Sequence, residues 1–413
     1  MAQTLFIIIL IIVVFNYLFE LWLDFLDSTR WSNILPEELT GIYDVEKYRK
    51  SQEYEKVNMR YSLITGAFSF LLLILMLTLG GFAWLDGVVR TLTNHPVLMA
   101  LLFFAVLGLV SDLLTTPFSA YHTFVIEQKF GFNTTTIKTF IMDKLKSWLL
   151  AAVLGGGILS FIVWIYGATG TWFWFIAWMA MTVFSVFMSL FYSNIIVPLF
   201  NKQTPLEPGE LRDAIEQFTA KAGFKLKNIY IINGSKRSKK ANAYFTGFGP
   251  KKRIVLYDTL LNDLTVNEIV AILAHEVGHY KKKHVLFGLV SSIISSGALF
   301  YIMSLVIGSS DMAGALGAGQ ASFHMGILAF GLLYSPVSMV LGIAGNYFSR
   351  RHEYAADHFA ATYADPKAFS QGIKKLYVLS LSNLRPHPFT VFITYSHPPL
   401  LKRLSAIEHI RDK

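Results

Sequence analysis

Residues 271–284 read AILAHEVGHYKKKH. On a helix, His275 and His279 project from one face, one turn apart. Imidazole nitrogen is a good zinc ligand, and Glu276 between them can serve as general base toward a water that the metal activates. The preceding NEIV continues the same helical pattern, and Thr265, three residues before Glu268, is a capping-box start. Chance pairing is the alternative, and the helical setting argues against it. A catalytic zinc keeps three protein ligands and one open position, so a third ligand must come from elsewhere in the chain.

The surroundings of this stretch are those of a membrane protein. The 413 residues are 54% hydrophobic and only 15% charged, against about 25% charged in soluble domains. Mean hydropathy is +0.47. The absence of cysteine excludes disulfides and thiolate metal sites. Seven stretches, near 4–25, 61–84, 97–119, 147–168, 172–200, 284–307 and 322–346, are apolar and long enough to cross a bilayer, which takes about 20 residues. The first lacks a basic leader and a small-residue cleavage site, so a retained helix is expected rather than a signal peptide.

Every Lys and Arg falls outside these seven stretches. Segments 26–60 and 120–146 hold six and four, segment 85–96 holds one, and 169–171 and 308–321 hold none. The long segments 201–283 and 347–413 hold 15 and 10. Such alternation predicts an N-terminus outside and a C-terminus in the cytosol. The net charge of +9 is thereby assigned to membrane orientation, and no nucleic-acid partner is expected. Lys281, Lys282 and Lys283 mark the crossing from water to lipid at the end of the metal helix.

This divides the chain into four parts. Residues 1–200 carry spans one to five with cytosolic loops 26–60 and 120–146, and 201–283 form a cytosolic catalytic loop region. Residues 284–346 carry spans six and seven, and 347–413 form a cytosolic C-terminal region that completes the zinc site. Within the loop region, LEPGELRDAIEQFTAKAGF has apolar residues at helical spacing, with Gly223 suited to the helix end. KNIYIINGS reads as a strand, and ANAYFTGFGPKKRIVLYDTLL as two more joined around Gly249-Pro250. A small sheet beside a zinc helix suits a peptidase, since an extended peptide can add to an exposed strand edge. Asn242, Ala243 and Tyr244 are the candidate substrate strand, although Tyr244 and Phe245 equally suit packing of the sheet.

SRRHEYAAD, residues 349–357, offers the third ligand. It continues the seventh span as a helix and puts Glu353 and Asp357 on one face, so that Glu353 can reach the metal while Asp357 accepts a hydrogen bond from a ligand imidazole. An exposed ion-pair stripe of Arg350, Glu353 and Asp357 would have the same spacing. His284 is set aside because it falls half a revolution from His275 on a continuous helix. His352 and His358 lie off the Glu353 face and read as surface residues. In SHPPLLKR, residues 396–403, two prolines stiffen the chain after His397, which can then hydrogen-bond an oxyanion, and Arg403 can pair with Asp357.

Taken together, these stretches resemble the type I CAAX prenyl endopeptidases, integral-membrane zinc metalloproteases of the gluzincin kind. The resemblance runs nearly the full length, through TFVIEQKFGFN (123–133), IIVPLFN (195–201), SKRSKKANAYFTGFG (235–249), HEVGH (275–279), SRRHEYAAD (349–357) and SHPPLLKR (396–403). It implies one zinc per chain bound by His275, His279 and Glu353, with Glu276 as general base and His397 as oxyanion stabiliser. Asp357 would buttress a ligand histidine and Arg403 would hold that region, while Asn242, Ala243 and Tyr244 would align the substrate. The implied fold is mostly α, seven transmembrane helices around a large internal chamber with a small cytosolic α+β portion. The implied activity is cleavage near the C-terminus of prenylated or otherwise membrane-anchored proteins. A quality-control protease without lipid requirement is the alternative, and a transporter with a structural metal site a remoter one.

A monomer in the bilayer is expected, in a bacterial inner membrane on account of its compact loops, or in the endoplasmic reticulum or inner nuclear membrane of a eukaryote. Of the acids within spans, Glu20 and Asp24 are expected to face cytosolic water. Asp112 is expected to line the chamber, solvated and without partners, rather than to serve a proton relay.

Overall fold

The computed structural model describes residues 1–224, 228–247 and 252–411, without the side chains of Glu38 and Arg411. Six helical stretches among them are long and apolar enough to cross a membrane: Ala2–Ser28, Val45–Thr78, Pro96–Phe130, Ile137–Phe200, His284–Ser304 and Phe323–Tyr363. That is one fewer than the seven expected, and the difference has a single source. The expected spans 147–168 and 172–200 lie within one 64-residue helical stretch. It is interrupted where Gly170 takes a φ of 54° at the start of a short 3-10 turn. No polar loop intervenes, and the helices on either side, Gly156–Thr169 and Phe173–Ile195, pack against each other. Unbent, a helix of that length would run about 96 Å, roughly three times the hydrocarbon thickness.

Contacts between loops sort them into two groups. In one, Lys129 pairs with Glu53 at 2.6 Å, Arg237 with Asp143 at 2.7 Å, and Asp27 accepts from the His387 backbone at 2.8 Å. Segments 26–60, 120–146, 201–283 and 347–413 therefore meet at one end of the molecule. At the other end, Arg90 reaches Gln320 at 3.2 Å and buried His324 bonds Asp86 at 2.6 Å. This is the grouping that the alternation of basic and neutral loops predicts.

The sheet lies at the first end. Its strands are β1 (Gln203–Pro205), β2 (Asn228–Ile232), β3 (Ala243–Thr246) and β4 (Arg253–Tyr257), in the order β1-β2-β4-β3. β2 and β4 run parallel, and the other two pairs are antiparallel. β1 has no counterpart among the three strands expected, because three residues ending in a proline carry no alternation to read. The expected turn at Gly249-Pro250 lies outside the described residues.

The metal helix, Val266–Lys281, is buried along most of its length. Its start has both halves of the capping box, Glu268 N–H to Thr265 Oγ1 at 3.4 Å and Thr265 N–H to Glu268 Oε2 at 2.8 Å. It packs on the C-terminal part of the helix Phe323–Tyr363, on Pro366–Leu379 and on Glu210–Lys221. Ala271, Ala274 and Val277 meet Phe218, Phe359, Ala360 and Phe369 in one apolar cluster. Small residues along the metal helix allow this close approach. A Cβ on Gly278 would lie 3.2 Å from the Ala356 backbone and 3.1 Å from Phe359 Cβ.

The surface of the molecule is large for its mass. Its accessible area is 21570 Å², whereas a compact monomer of 46.5 kDa exposes about 16,000 Å². In the apolar windows of the six long helices, at most 17% of residues are buried. Much of this exposed apolar surface lies on the membrane-length helices, where lipid rather than water would cover it.

Candidate active site

His275 and His279 stand one turn apart on the metal helix, as their spacing dictates, and the packing around Gly278 brings Glu353 onto them. The Nε2 atoms of the two histidines are 3.1 Å apart. Glu353 Oε1 is 3.2 Å from His279 Nε2, and Glu353 Oε2 is 3.4 Å from His275 Nε2. One donor atom from each residue falls within 4.8 Å of the other two. Their outer contacts fix the protonation. His275 Nδ1 lies 2.8 Å from Asp357 Oδ1 and donates to it, which leaves Nε2 as the nitrogen that would bind a metal.

The donor set fits a metal on two counts. Two imidazole nitrogens and a carboxylate oxygen are a ligand set that zinc accepts. Glu353 Oε2 is also fully buried and accepts no hydrogen bond of good geometry, its nearest charged neighbours being His275 Nε2 at 3.4 Å and Arg403 Nη1 at 3.7 Å, which leaves its lone pairs available to a metal ion. Burial alone would lower the His275 pKa, but hydrogen bonds to Asp357 and Glu353 outweigh it and raise the value to about 9. Metal binding there must displace that proton.

Asp357, 1% exposed, is held by Arg403 through a two-pronged pair, Nε to Oδ2 at 2.9 Å and Nη2 to Oδ1 at 2.6 Å. Arg403 Nη1 also lies 3.7 Å from Glu353 Oε2. One buried guanidinium therefore sits against both carboxylates, which is what allows two acids to be buried side by side. Arg403 arrives on the helix Leu400–Arg411, which begins just past the two prolines, as expected. Among the described residues, Arg350 takes no part in an ion-pair stripe with Glu353 and Asp357. It donates to the carbonyls of Val391 and Tyr395 at the end of the helix Pro388–Thr394.

Glu276 lines a cavity of about 710 Å³ together with His275, His279, Glu353 and His397. Burial pushes its carboxyl above the usual carboxylate range, against the pull of the two histidines, in the direction a base working near neutral pH needs. His397 Nε2 lies 3.3 Å from Glu353 Oε1, while its Nδ1 is 2.9 Å from Ser396 Oγ. Its side chain is 59% exposed, so its outer face is open to a substrate.

Ala243 and Tyr244 belong to β3, with Asn242 just before it, and β3 is an edge strand. Tyr257 N–H donates to Asn242 O, so by antiparallel alternation Tyr244 and Thr246 bond toward β4. The backbone groups of Ala243 and Phe245 then face the free edge. Phe245 lines the metal cavity.

Two expectations fail in this region. The metal helix does not continue to His284: it ends at Lys281, Lys283 takes a left-handed φ of 60°, and a new helix starts at His284. The turn folds His284 back onto His279, Nδ1 to Nδ1 at 3.1 Å. His352 is no surface residue either, since its ring stacks on His284 at 4.0 Å. The run of three lysines before His284 was the available signal, read as an interface marker and not as a helix break. Farther off, Asp112 has partners, contrary to expectation. Lys144 Nζ is 2.6 Å from its Oδ1 and Trp148 Nε1 2.9 Å from its Oδ2.

Known proteins resemble this chain over nearly its whole length. Residues 24–202 match a family model described as CAAX prenyl protease N-terminal, five membrane helices, and 205–411 match peptidase family M48. The chain is 34% identical to the CAAX prenyl protease 1 homolog of Oryza sativa subsp. japonica, over 98% of this chain and 97% of that protein. It is 31% identical to CAAX prenyl protease 1 of Saccharomyces cerevisiae, over 96% and 94%. The crystal structure of S. mikatae Ste24p superposes with a TM-score of 0.91 at 32% identity, covering 98% of each chain.

Proposed function

From the premise that the chain belongs to peptidase family M48, in its CAAX prenyl protease group, and is a multi-pass membrane metalloprotease, we propose that it cleaves near the C-terminus of prenylated or otherwise membrane-anchored proteins. The observation that carries the catalytic reading is the cluster of His275, His279 and Glu353, three donors with Glu276 beside them and a cavity on the remaining side. A structural metal site would be closed by a fourth ligand, which argues against the transporter reading.

The three donors would hold one zinc ion, which polarises a substrate carbonyl and makes a water more acidic. Glu276 takes the proton of the attacking water and passes it to the leaving amine. His397 turns its Nε2–H from Glu353 toward the oxyanion as the carbonyl becomes tetrahedral, with Ser396 Oγ steadying its other nitrogen. The free edge of β3 pairs with the substrate backbone. Asp357 and Arg403 hold His275 and Glu353 in place.

The cavity wall supports a lipidated or membrane-borne substrate. Val285, Phe287, Leu341 and Phe348 line it from the spans, so an acyl or prenyl chain meets apolar surface on its way to the metal. The end carrying the sheet and the site is assigned to the cytosol by the ten Lys and Arg of its two shorter segments, 26–60 and 120–146, against one in segments 85–96, 169–171 and 308–321.

The test is cleavage by the purified protein of one farnesylated Cys-a-a-X peptide and its unlipidated twin, followed by mass spectrometry. Release of the last three residues from the lipidated peptide alone supports the prenyl-dependent reading. Equal cutting of both leaves a metalloprotease with no lipid requirement, which is the quality-control alternative. No cutting of either overturns the proposed substrate class.

A further inference from the structure

The two ligand histidines are supported in different ways. His275 gives its Nδ1–H to a buried carboxylate, whereas His279 has its Nδ1 3.1 Å from the Nδ1 of His284. We propose that His284 is the positioning residue of His279: it accepts the Nδ1–H and so keeps His279 Nε2 aimed at His275 and Glu353. The inference rests on the metalloprotease reading above and extends it to a residue outside the ligand set.

The direction of this hydrogen bond follows from the other side of the ring. His279 Nε2 lies 3.1 Å from His275 Nε2 and 3.2 Å from Glu353 Oε1. As a ligand it must be bare of hydrogen there, so the ring's one proton is on Nδ1. Were His284 the donor, that proton would sit on Nε2 and His279 could not bind a metal. His284 therefore presents a lone pair at Nδ1 and carries its own proton on Nε2.

The backbone is arranged to make this contact. On an unbroken helix, a residue five positions after His279 would point about 140° away from it. Instead the helix stops, and Lys283, a residue with a Cβ, adopts the left-handed conformation that side chains rarely take. Lys281 anchors the end by donating to the Gly223 carbonyl at 2.8 Å. His352 then stacks on His284 with rings 4.0 Å apart and 9° from parallel, and Phe287 meets His352 edge-on at 5.1 Å. His352 directly precedes Glu353, so the helix that supplies the carboxylate also clamps the ring supporting His279. A neutral imidazole in this role leaves the site with one buried anion fewer than a second aspartate would.

The test uses the full-length protein in detergent and three variants. His284→Phe keeps a ring on His352 and removes the acceptor, His284→Asn offers an amide oxygen, and His284→Leu offers neither. Zinc retention is titrated against a chelator, thermal unfolding of the chelated proteins is recorded alongside, and the cobalt-substituted forms are compared by visible absorption. His284→Phe should release zinc at about 10- to 100-fold lower chelator concentration, with an altered cobalt spectrum and an unchanged chelated melting temperature. His284→Asn should recover most of the loss.

Wild-type retention by His284→Phe overturns the inference. So does an equal loss in Asn and Leu, a comparison that also decides the matter if the Phe variant does not fold. A wild-type chain that binds no zinc would overturn the metalloprotease reading as well, and is distinguishable from both.

Discussion

At the residue scale, the site is built from groups whose roles separate by what they touch. Glu276 borders the cavity and is no member of the three-donor cluster. Glu276→Gln should therefore reduce turnover by about 10²- to 10⁴-fold while zinc content, measured by atomic absorption, stays at the wild-type level. Retained turnover would remove Glu276 from the mechanism. His275, Glu276 and His279 are legible because a local motif on one helix needs nothing but helical geometry. Glu353 and Asp357 are legible because they too share a helix face. His284 and His352 are not, since their places depend on a backbone reversal at Lys283 that no periodicity announces. The pairing of Asp112 is hidden for a related reason: its partners, Lys144 and Trp148, lie more than 30 positions away.

At the element scale, the metal helix depends on its start and on its closest contact. Burial alone would raise the Glu268 pKa, but the Lys375 ion pair and the two Thr265 hydrogen bonds prevail and hold it below its ordinary value of 4.5. A carboxyl lowered by folding contributes stability above its unfolded pKa and loses it as pH falls through the folded one. Glu268→Gln keeps the shape of the capping box without the charge. Its stability deficit against wild type, read by denaturant unfolding, should thus be present at neutral pH and shrink below about pH 4.5. A deficit independent of pH would mean that the ion pair contributes nothing.

Gly278 acts at the crossing with the Glu353 helix. Alanine is the better helix former by about 1 kcal/mol, yet its Cβ would press on the Ala356 backbone. Gly278→Ala is expected to push Glu353 from the histidines and weaken zinc retention. Equal or tighter retention would show that the crossing has slack.

At the scale of the whole molecule, the proposed orientation rests on where the Lys and Arg residues lie. The chain has no cysteine, so single cysteines can report sidedness without a background. Glu207→Cys, at the end that bears the sheet, should react with an impermeant maleimide only from the cytosolic side, and Gly319→Cys only from outside. Labelling of both from one side would reject the proposed topology. The count of long apolar helices is less legible than the grouping of the loops at two ends. Hydropathy shows two apolar segments around 169–171, whereas the backbone makes one helical stretch bent at Gly170.

The sequence by itself determined the class of molecule, the grouping of loops at two ends, the His-Glu-x-x-His helix and the residues that meet it. Each of these follows from local rules: the length of an apolar run, the placement of lysine and arginine, and the 3.6-residue turn that aligns His275 with His279 and Glu353 with Asp357. Tertiary structure alone decided how distant pieces are supported. The close crossing at Gly278, the guanidinium of Arg403 between two buried acids, the return of His284 to His279 and the partners of Asp112 are contacts between segments far apart in the chain. Their energies come from burial and from the packing of facing surfaces, and these exist only once the helices have met.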